Sequence, residues 1–546
     1  MIDVGIKLIN AEVSFGAMPR IVSIEEKNKD PSLNLALDTI GIGKQAFVFV
    51  NTKRSAEKVA EDIAKKIKTG SQILDEIAQK LLGVLSKPTR QCERLAFCVR
   101  KGIAFHHAGL AGKQREIIED EFRNGTIKII CCTPTLAAGV DLPAFRTIIR
   151  DLKRYGNMGL NWIPVLEYLQ QAGRAGRPKF DKFGESIAVA SSEGEKDKIY
   201  EKYVLGEPEE IYSKLAVEPA LRTYILSLIA SNFVNTKDNI MQFFSKTFWA
   251  HQFKDMNKIE LLIDRMLELL EEWEFIRSSN GGKNEDFIDA SDLDAGRNAR
   301  IIATPIGKRV AELYLDPYTA NYLIKNIRKS HSIKANEFSL LQMVAYTLEM
   351  RPLLRPRQKD QDAISEALLK HSDTMLEKEP SIFEPEYEDY LASVKTALFM
   401  HDWMEEKDEE FLLESYDIRP GEIRAKLDVA DWLLYSSEEL SRMMQFTDIL
   451  REIRKARFRL QYGIREELMS LVRLHGIGRV RARMLFNNKI KNLLDVKNAD
   501  LSSLKFLLGE KVAVSIKQQV GQDVSKVPVR SGKRKGQIAL QDYDEK

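Results

Sequence analysis

Through the first 200 residues, short apolar runs alternate with amphipathic stretches, and the two periods are easily told apart. QAFVFVN (45–51) is a short apolar run ending at Asn51, and RSAEKVAEDIAKKI after it places its apolar residues at helical spacing. GIAFHHA repeats the first pattern and KQREIIEDEFRNG the second, with Gly125 as the helix stop. IKIICCT, AFRTIIRD and ESIAVAS (185–191) complete the series of strands. Buried apolar runs alternating with helices of this length predict an α/β domain built on a parallel sheet.

From about residue 200 the spacing turns helical. RTYILSLIASNF and NKIELLIDRMLELLEEWEFI read as helices, and RIIATPIGKRVAELYL as a short strand followed by a helix. Three helices and a small β element between about 215 and 315 predict a winged helix. Residues 316 to 455 read as helical throughout, and a last small helical unit surrounds LHGIGRVRARML. The tail VPVRSGKRKGQIALQDYDEK has no core-forming pattern and is expected to be mobile. No internal repeat is visible.

Length and composition refine this picture only a little. A chain of 546 residues holds three or four domains of ordinary size, and 44% apolar with 30% charged residues is the composition of a soluble globular protein. The net charge of +3 hides an asymmetry: ten Lys and Arg against three acids between Arg451 and Arg483, and eight acids against one lysine between Asp402 and Asp417. That predicts a cationic surface for a polyanion and a repelling or solvated face elsewhere. Four cysteines (Cys92, Cys98, Cys131, Cys132) are too few for a disulfide framework, and with His106 and His107 they fit no common zinc spacing, so no metal site is expected. No apolar segment approaches about 18 residues and MIDVGIKLIN has no signal-peptide core, so a cytoplasmic protein with no membrane partner is expected.

The candidate chemistry begins at YLQQAGRAGRP (168–178). Gln170, Gly173, Arg174, Gly176, Arg177 and Pro178 form Q-x-x-G-R-x-G-R-P, read as the start of a helix. A planar guanidinium can bind two oxygens of a γ-phosphoryl group, and glycines allow close approach. By itself the octapeptide also fits a basic surface turn. Upstream, TPTLAAGVDLPA (133–144) follows a strand, so Thr133 can meet a phosphate and Asp141 can accept from a ribose hydroxyl or an arginine. Earlier still come FVFVNTKRSAE (47–57) and FHHAGL (105–110) with Arg115.

These four ordered blocks resemble the second RecA-like domain of superfamily 2 helicases. More narrowly, GVDLPAFRTIIRDLKRY and VLEYLQQAGRAGRP resemble the archaeal DNA-repair helicases related to the helicase part of polymerase theta. The resemblance implies an α/β RecA-like parallel-sheet domain followed by winged-helix, helical ratchet and helix-hairpin-helix domains. It implies Gln170, Arg174 and Arg177 as catalytic residues, and Gly139, Asp141, Arg174 and Arg177 facing the nucleotide. It implies DNA contacts from Asn51, Arg54, His107 and Thr133. KRYGNMGLNW (153–162) would be the β-hairpin that parts a duplex, with Arg154, Tyr155, Met158 and Leu160; an ordinary loop is the alternative. GEIRAKLDVADWLLYSSEELSRM (421–443) matches the ratchet helix, with Trp432 stacking on a base or serving as core. The family's ratchet arginine falls on Ala425 here, flanked by Arg424 and Lys426.

LHGIGRVRARML reads as the turn and second helix of a helix-hairpin-helix or as a glycine turn between packed helices. In the first reading Gly476 and Gly478 free backbone N–H groups for a phosphate, and Arg479, Arg481 and Arg483 add charge. Gln537, Leu540 and Tyr543 in the tail resemble a sliding-clamp peptide, with Asp544 where a second aromatic is usual.

One part does not match. The sequence contains no G-x-x-x-x-G-K-S/T: GIGKQ (41–45) precedes a strand, and DEIA (75–78) and DEFR (120–123) lie on amphipathic helices. The expected organisation is an exit linker of a missing first RecA-like domain (1–20), the second RecA-like domain (21–200), winged helix (201–315), ratchet domain (316–455), helix-hairpin-helix (456–525) and tail (526–546). The leading expectation is a split helicase moving 3′ to 5′ on single-stranded and forked DNA, with a separate P-loop polypeptide holding most of the ATP and Mg2+. The alternative is a truncated helicase or a branched-DNA-binding module that turns over no ATP; RNA in place of DNA also stays open.

Overall fold

The computed structural model describes residues 26–68, 70–85, 87–137, 142–156, 159–176, 181, 183–279 and 299–522, with Ile24 and the strands Gly5–Ile9 and Arg20–Ile21. The chain divides into two compact units, one of Met1–Lys214 with Asp408–Lys426 and the other of Leu215–Lys407 with Leu427–Lys546. No helix among the described residues is long and apolar enough to cross a membrane.

The first unit runs β1 (Gly5–Ile9), β2 (Arg20–Ile21), α1 (Pro31–Gly41), β3 (Ala46–Phe49), α2 (Lys53–Ala64), α3 (Gln72–Leu82), α4 (Arg90–Val99), β4 (Ile103–His106), α5 (Gly112–Arg123) and β5 (Ile129–Cys132). It continues through β6 (Arg146–Ile149), β7 (Lys153–Gly156), β8 (Gly159–Trp162), α6 (Val165–Ala172), β9 (Gly184–Ala188) and α7 (Glu193–Ile199). The sheet order is β2-β1-β9-β6-β3-β5-β4. From β9 to β4 every pair is parallel, with Phe47 opposite both Ile130 and Thr147. Apolar residues fill these strands because helices cover both faces: Phe47, Val48, Phe49, Phe105, Ile130 and Ile148 are all buried. The stretch expected to be only an exit linker contributes β1 and β2, which extend the sheet antiparallel beyond β9.

Arg146 ties the opening of β6 to its neighbours. Its buried guanidinium donates to Glu185 (2.7 Å), Asp38 (2.8 Å), the Thr39 hydroxyl (2.8 Å) and the Leu35 carbonyl (3.2 Å). Each of its three nitrogens thus meets an acceptor in place of the water that burial removes.

In the second unit, helices Glu218–Ala230, Lys237–Ser245, Phe248–Phe253 and Met256–Glu272 precede a two-stranded antiparallel ribbon (Ile276–Ser279 with Arg300–Ala303) and the helix Pro305–Glu312. Two expectations change here. Four helices, not two, fill the stretch before the ribbon. The helix read through WEFI ends at Glu272, because Glu274 turns into the left-handed region (φ 60°) and Ile276 starts a strand. Helices Pro317–Lys329, Glu337–Ala345, Gln361–His371, Glu386–Met404 and Thr447–Tyr462 then form a helical module with part of the helix Pro420–Met443. The last module packs short helices from Met469–Val472 to Glu510–Gln519 around Leu471, Leu485, Val496, Leu504 and Ile516.

Replacing Arg146 by methionine should destabilise the first unit by about 3 kcal/mol, since Glu185, only 12% exposed, would be left without its partner. A large fall in the calorimetric midpoint of that unit, with the second unit's transition unmoved, is the expected result.

Candidate active site and nucleic-acid interface

Parallel strands send all their following loops to one edge of the sheet, where ligands of such sheets bind. Asn51 after β3, His107 after β4, Thr133 after β5 and Asp151 after β6 therefore gather there although they are far apart in sequence. The Asn51 backbone N–H donates to Asp151 (3.2 Å), and its side-chain amide donates to the Lys153 carbonyl at the root of the β7–β8 hairpin. Thr133 shares a hydrogen bond with the Thr135 hydroxyl (2.9 Å). The ribbon KRYGNMGLNW forms as expected: Tyr155 stands opposite Leu160, and both side chains reach solvent, Tyr155 at 85% exposure. Lys153 lies over the Trp162 ring (4.2 Å) and pairs with Glu195 (2.7 Å), which fixes the base of the ribbon.

His107, expected to touch DNA, is fully buried and cannot reach a ligand in this arrangement. Its Nδ1 accepts from the Gly109 N–H (3.1 Å), and its Nε2 lies 3.2 Å from Glu57. Burial pushes His107 below the ordinary histidine pKa, against the opposing pull of the Glu57 carboxylate. Glu57 sits on the buried face of α2 and also accepts from Gln91 (2.7 Å), Arg94 (2.5 Å) and Arg419 (3.3 Å). Burial alone would raise its pKa; His107, Gln91, Arg419 and Arg94 outweigh that and lower it to about 2. The same loop meets the first turn of the helix Pro420–Met443, where the Gly421 N–H donates to the Gly109 carbonyl (3.1 Å). A side chain at Gly421 would overlap the carbonyl oxygens of Ala108 and Leu110, so this close backbone approach requires glycine.

Arg54 is not free for DNA either, because both oxygens of Asp417 accept from it (2.8 and 3.0 Å). Lys53 pairs with Glu422, Lys87 with Asp408 (2.6 Å), and the Arg90 N–H at the start of α4 donates to Glu410 (2.9 Å). The acidic run expected to be a solvated face is, in this unit, spent on the unit's own cations.

The arginine motif lies at the end of a helix and not at its start. Gln170 is exposed in the last turn of α6, Gly173 caps it, and Gly176 turns the chain in the left-handed region (φ 94°). Two glycines this close terminate a helix more readily than they begin one. Arg174 donates through Nε (3.0 Å) and Nη2 (2.6 Å) to the Ala137 carbonyl, in the loop after β5. At the other end of α6, Glu209 accepts from the N–H groups of Val165 (2.6 Å) and Leu166 (3.1 Å). Arg154, expected on DNA, is paired with Glu167 in the first turn of α6 (2.9 Å).

In the second unit Trp432 is half-buried and its indole N–H donates to the Leu313 carbonyl (3.1 Å). Arg424 and Ala425, earlier on that helix, are exposed. Gly478 begins the helix Arg479–Asn487 without a side-chain cap, and Gly476 before it is left-handed (φ 88°). Arg481 donates back to the Gly476 carbonyl (2.8 Å), and Arg479 lies over the Trp403 ring (4.5 Å). Arg483 is held by Glu406 (2.6 and 2.8 Å) and Glu467 (2.9 Å), so its charge is matched within the protein and not by a phosphate. Gly139, Asp141, Met158, Arg177 and the tail residues Gln537, Leu540 and Tyr543 lie outside the described residues.

Residues 71–179 match the model of the helicase conserved C-terminal domain, 184–277 that of a helix-turn-helix domain, and 338–463 that of archaeal helicase, domain 4. A protein of Methanocella arvoryzae named ATP-dependent DNA helicase Hel308 is 35% identical over 534 residues, covering 96% of this chain and 69% of its own length. The chain belongs to the Hel308 helicase family. Proteins of the same name from Methanococcus vannielii (34% identical, 91% of this chain, 68% of theirs) and Pyrococcus horikoshii (36%, 90% and 66%) agree. The chain thus spans about two thirds of the length of these Hel308 relatives. The resemblance read from GVDLPAFRTIIRDLKRY leads to the same family.

Sequence reasoning passed over Glu57, Glu167, Glu209, Arg419 and Gly421. Glu57 did carry a signal, a carboxylate among Ala56, Val59, Ala60 and Ile63 on the apolar face of α2. Because its folded pKa is depressed, its contribution to stability is present above about pH 4.5 and is lost as pH falls from there towards 2. Acid unfolding profiles of the native chain and Glu57→Gln should therefore differ in slope across that window, the variant lacking that component. Parallel profiles would show that Glu57 carries no such charge linkage.

Proposed function

We propose that this chain is the DNA-tracking part of an ATP-dependent DNA helicase, moving 3′ to 5′ on single-stranded and forked DNA in repair. The observation that carries the reading is the gathering of Asn51, Thr133 and the β7–β8 ribbon on one sheet edge in a chain of the Hel308 family. ATP with its Mg2+ binds against the end of α6, facing a P-loop RecA-like domain. The donor types fit a triphosphate: Gln170 is exposed, and Arg174 carries a planar guanidinium, a group able to bind two oxygens, held beside the loop after β5 by the Ala137 carbonyl. Arg177, Gly139 and Asp141 complete the nucleotide-facing set in this reading. Bound Mg2+ would neutralise charge on the phosphates, and in this reading its carboxylates are those of the P-loop domain. On the DNA side, Tyr155 and Met158 form the wedge, Trp432 stacks on a base, Arg424 adds a cation, and Gly476, Gly478, Arg479 and Arg481 meet phosphates in a helix-hairpin-helix.

The sequence holds no P-loop, so the test supplies one. Hydrolysis of ATP with single-stranded DNA should appear when the chain is mixed with the part of the Methanocella relative that this chain does not cover. Arg174→Ala or Arg177→Ala should lower that rate about 10³–10⁵-fold, the value of an arginine on the transferring phosphoryl group, and leave DNA affinity unchanged. Equal loss of DNA affinity would remove these arginines from the nucleotide. DNA binding by the chain alone should weaken with salt, by a slope of about −0.7 per phosphate contacted. Salt-sensitive binding with no hydrolysis on mixing would instead favour a DNA-binding module without turnover.

A further inference from the structure

The helix α6 has a DNA-facing element at one end and a nucleotide-facing one at the other. It begins beside the ribbon, where the Ile163 N–H donates to the Leu152 carbonyl (2.9 Å), and it ends at Gly173 and Arg174. Arg174 is anchored there by the Ala137 carbonyl, and its own carbonyl accepts from the Ala144 N–H (2.9 Å), just before β6 begins. From Glu167 to Arg174 is seven residues, about two helical turns. Glu167 in the first turn holds Arg154 at 2.9 and 3.1 Å through its two oxygens. Arg154 stands opposite Asn161 in the ribbon and is followed directly by the exposed Tyr155.

The geometry points to Glu167 as a positioning residue that couples α6 to the ribbon through Arg154. This rests on the reading of the ribbon as the duplex-parting element. A shift of α6 at its arginine end is passed along a short rigid helix to Glu167, and from there to the strand that carries Tyr155. The Asn51 amide on the Lys153 carbonyl gives the ribbon a fixed pivot one residue before Arg154. Arg154 is about half exposed, so the pair adds little to folding and its removal leaves the domain intact. Two roles for Arg154 make opposite predictions. If Arg154 served as a phosphate contact, neutralising Glu167 would free it and strengthen fork binding. If it serves the coupling, neutralising Glu167 leaves affinity alone and slackens the ribbon.

The experiment uses the full chain and a forked DNA with 2-aminopurine at the junction base pair, whose fluorescence rises when that base unstacks. The native chain should open the junction, and Glu167→Gln should reduce the opening equilibrium by about two- to thirtyfold with unchanged fork affinity. The charge exchange Arg154→Glu with Glu167→Arg should restore it, which a phosphate contact by Arg154 would not allow, and an unchanged melting midpoint of Glu167→Gln separates the coupling from a simple loss of stability. An unaffected Glu167→Gln, or a charge exchange that restores nothing, overturns the coupling while the ribbon keeps its duplex-parting role. If the native chain opens no junction, the ribbon reading fails and the coupling with it.

Discussion

The common direction of β3, β4, β5 and β6 is the constraint on which the rest of the first unit depends. Parallel strands need crossover helices on both faces, so their residues must be apolar throughout, and their loops must leave by the same edge. Asn51, Thr133 and the root of the ribbon share that edge for no other reason. The route back is just as constrained: to reach the amino end of β9, the chain after the ribbon has to run along the sheet, and α6 is that return path. One sheet therefore places the root of the ribbon at one end of a helix and Arg174 at the other.

Charge follows a different logic from the one its distribution along the chain suggests. The acids Asp408, Glu410 and Asp417 meet Lys87, Arg90 and Arg54 in the first unit. In the second, Glu405 and Glu406 meet Arg459, Arg465 and Arg483, all from the basic run. The solvent-exposed pairs among these, such as Lys87–Asp408 and Arg54–Asp417, are worth about 0–1 kcal/mol each and act on position more than on stability, whereas Arg459 is buried. The buried groups are another matter: Arg146, Arg222 with Asp316 (2.5 and 2.6 Å), and Glu57 are each held by charged partners. A polyanion meeting this surface finds fewer unmatched cations than a count of Lys and Arg implies.

The parallel sheet was legible because a strand buried on both faces has only one composition open to it. Element boundaries in that domain agree with the reading to within a few residues, from QAFVFVN to ESIAVAS. The errors have local causes. Phe275 and Ile276 continue the apolar spacing of the preceding helix, and only the left-handed turn at Glu274 separates helix from strand. The arginine motif looked like a helix start because glycines beside a phosphate site usually are one, whereas here Gly173 and Gly176 end α6. The pairings were not legible at all. Arg154, Arg483 and Arg54 find their acids 13, 77 and 363 residues away, and nothing local marks an arginine as already taken. His107 follows an apolar strand, yet only Glu57 folded beneath it explains why an imidazole is sealed there.

A motor link has to break and re-form in every cycle, and that sets how strong it can be. The Arg146–Glu185 contact is buried, and separating it would leave charges without solvent, so β6 and β9 are locked together. The Arg154–Glu167 pair is shared with water on the arginine side, so each partner can be rehydrated when the pair opens. Its bond is then of the order of thermal energy, strong enough to bias the ribbon and weak enough to release it. A helix of eight residues between two such ends bends little, so the bias is carried over its whole length instead of being absorbed within it. The buried Arg146–Glu185 contact therefore sits in the sheet, and the solvent-shared Arg154–Glu167 pair sits where α6 meets the ribbon.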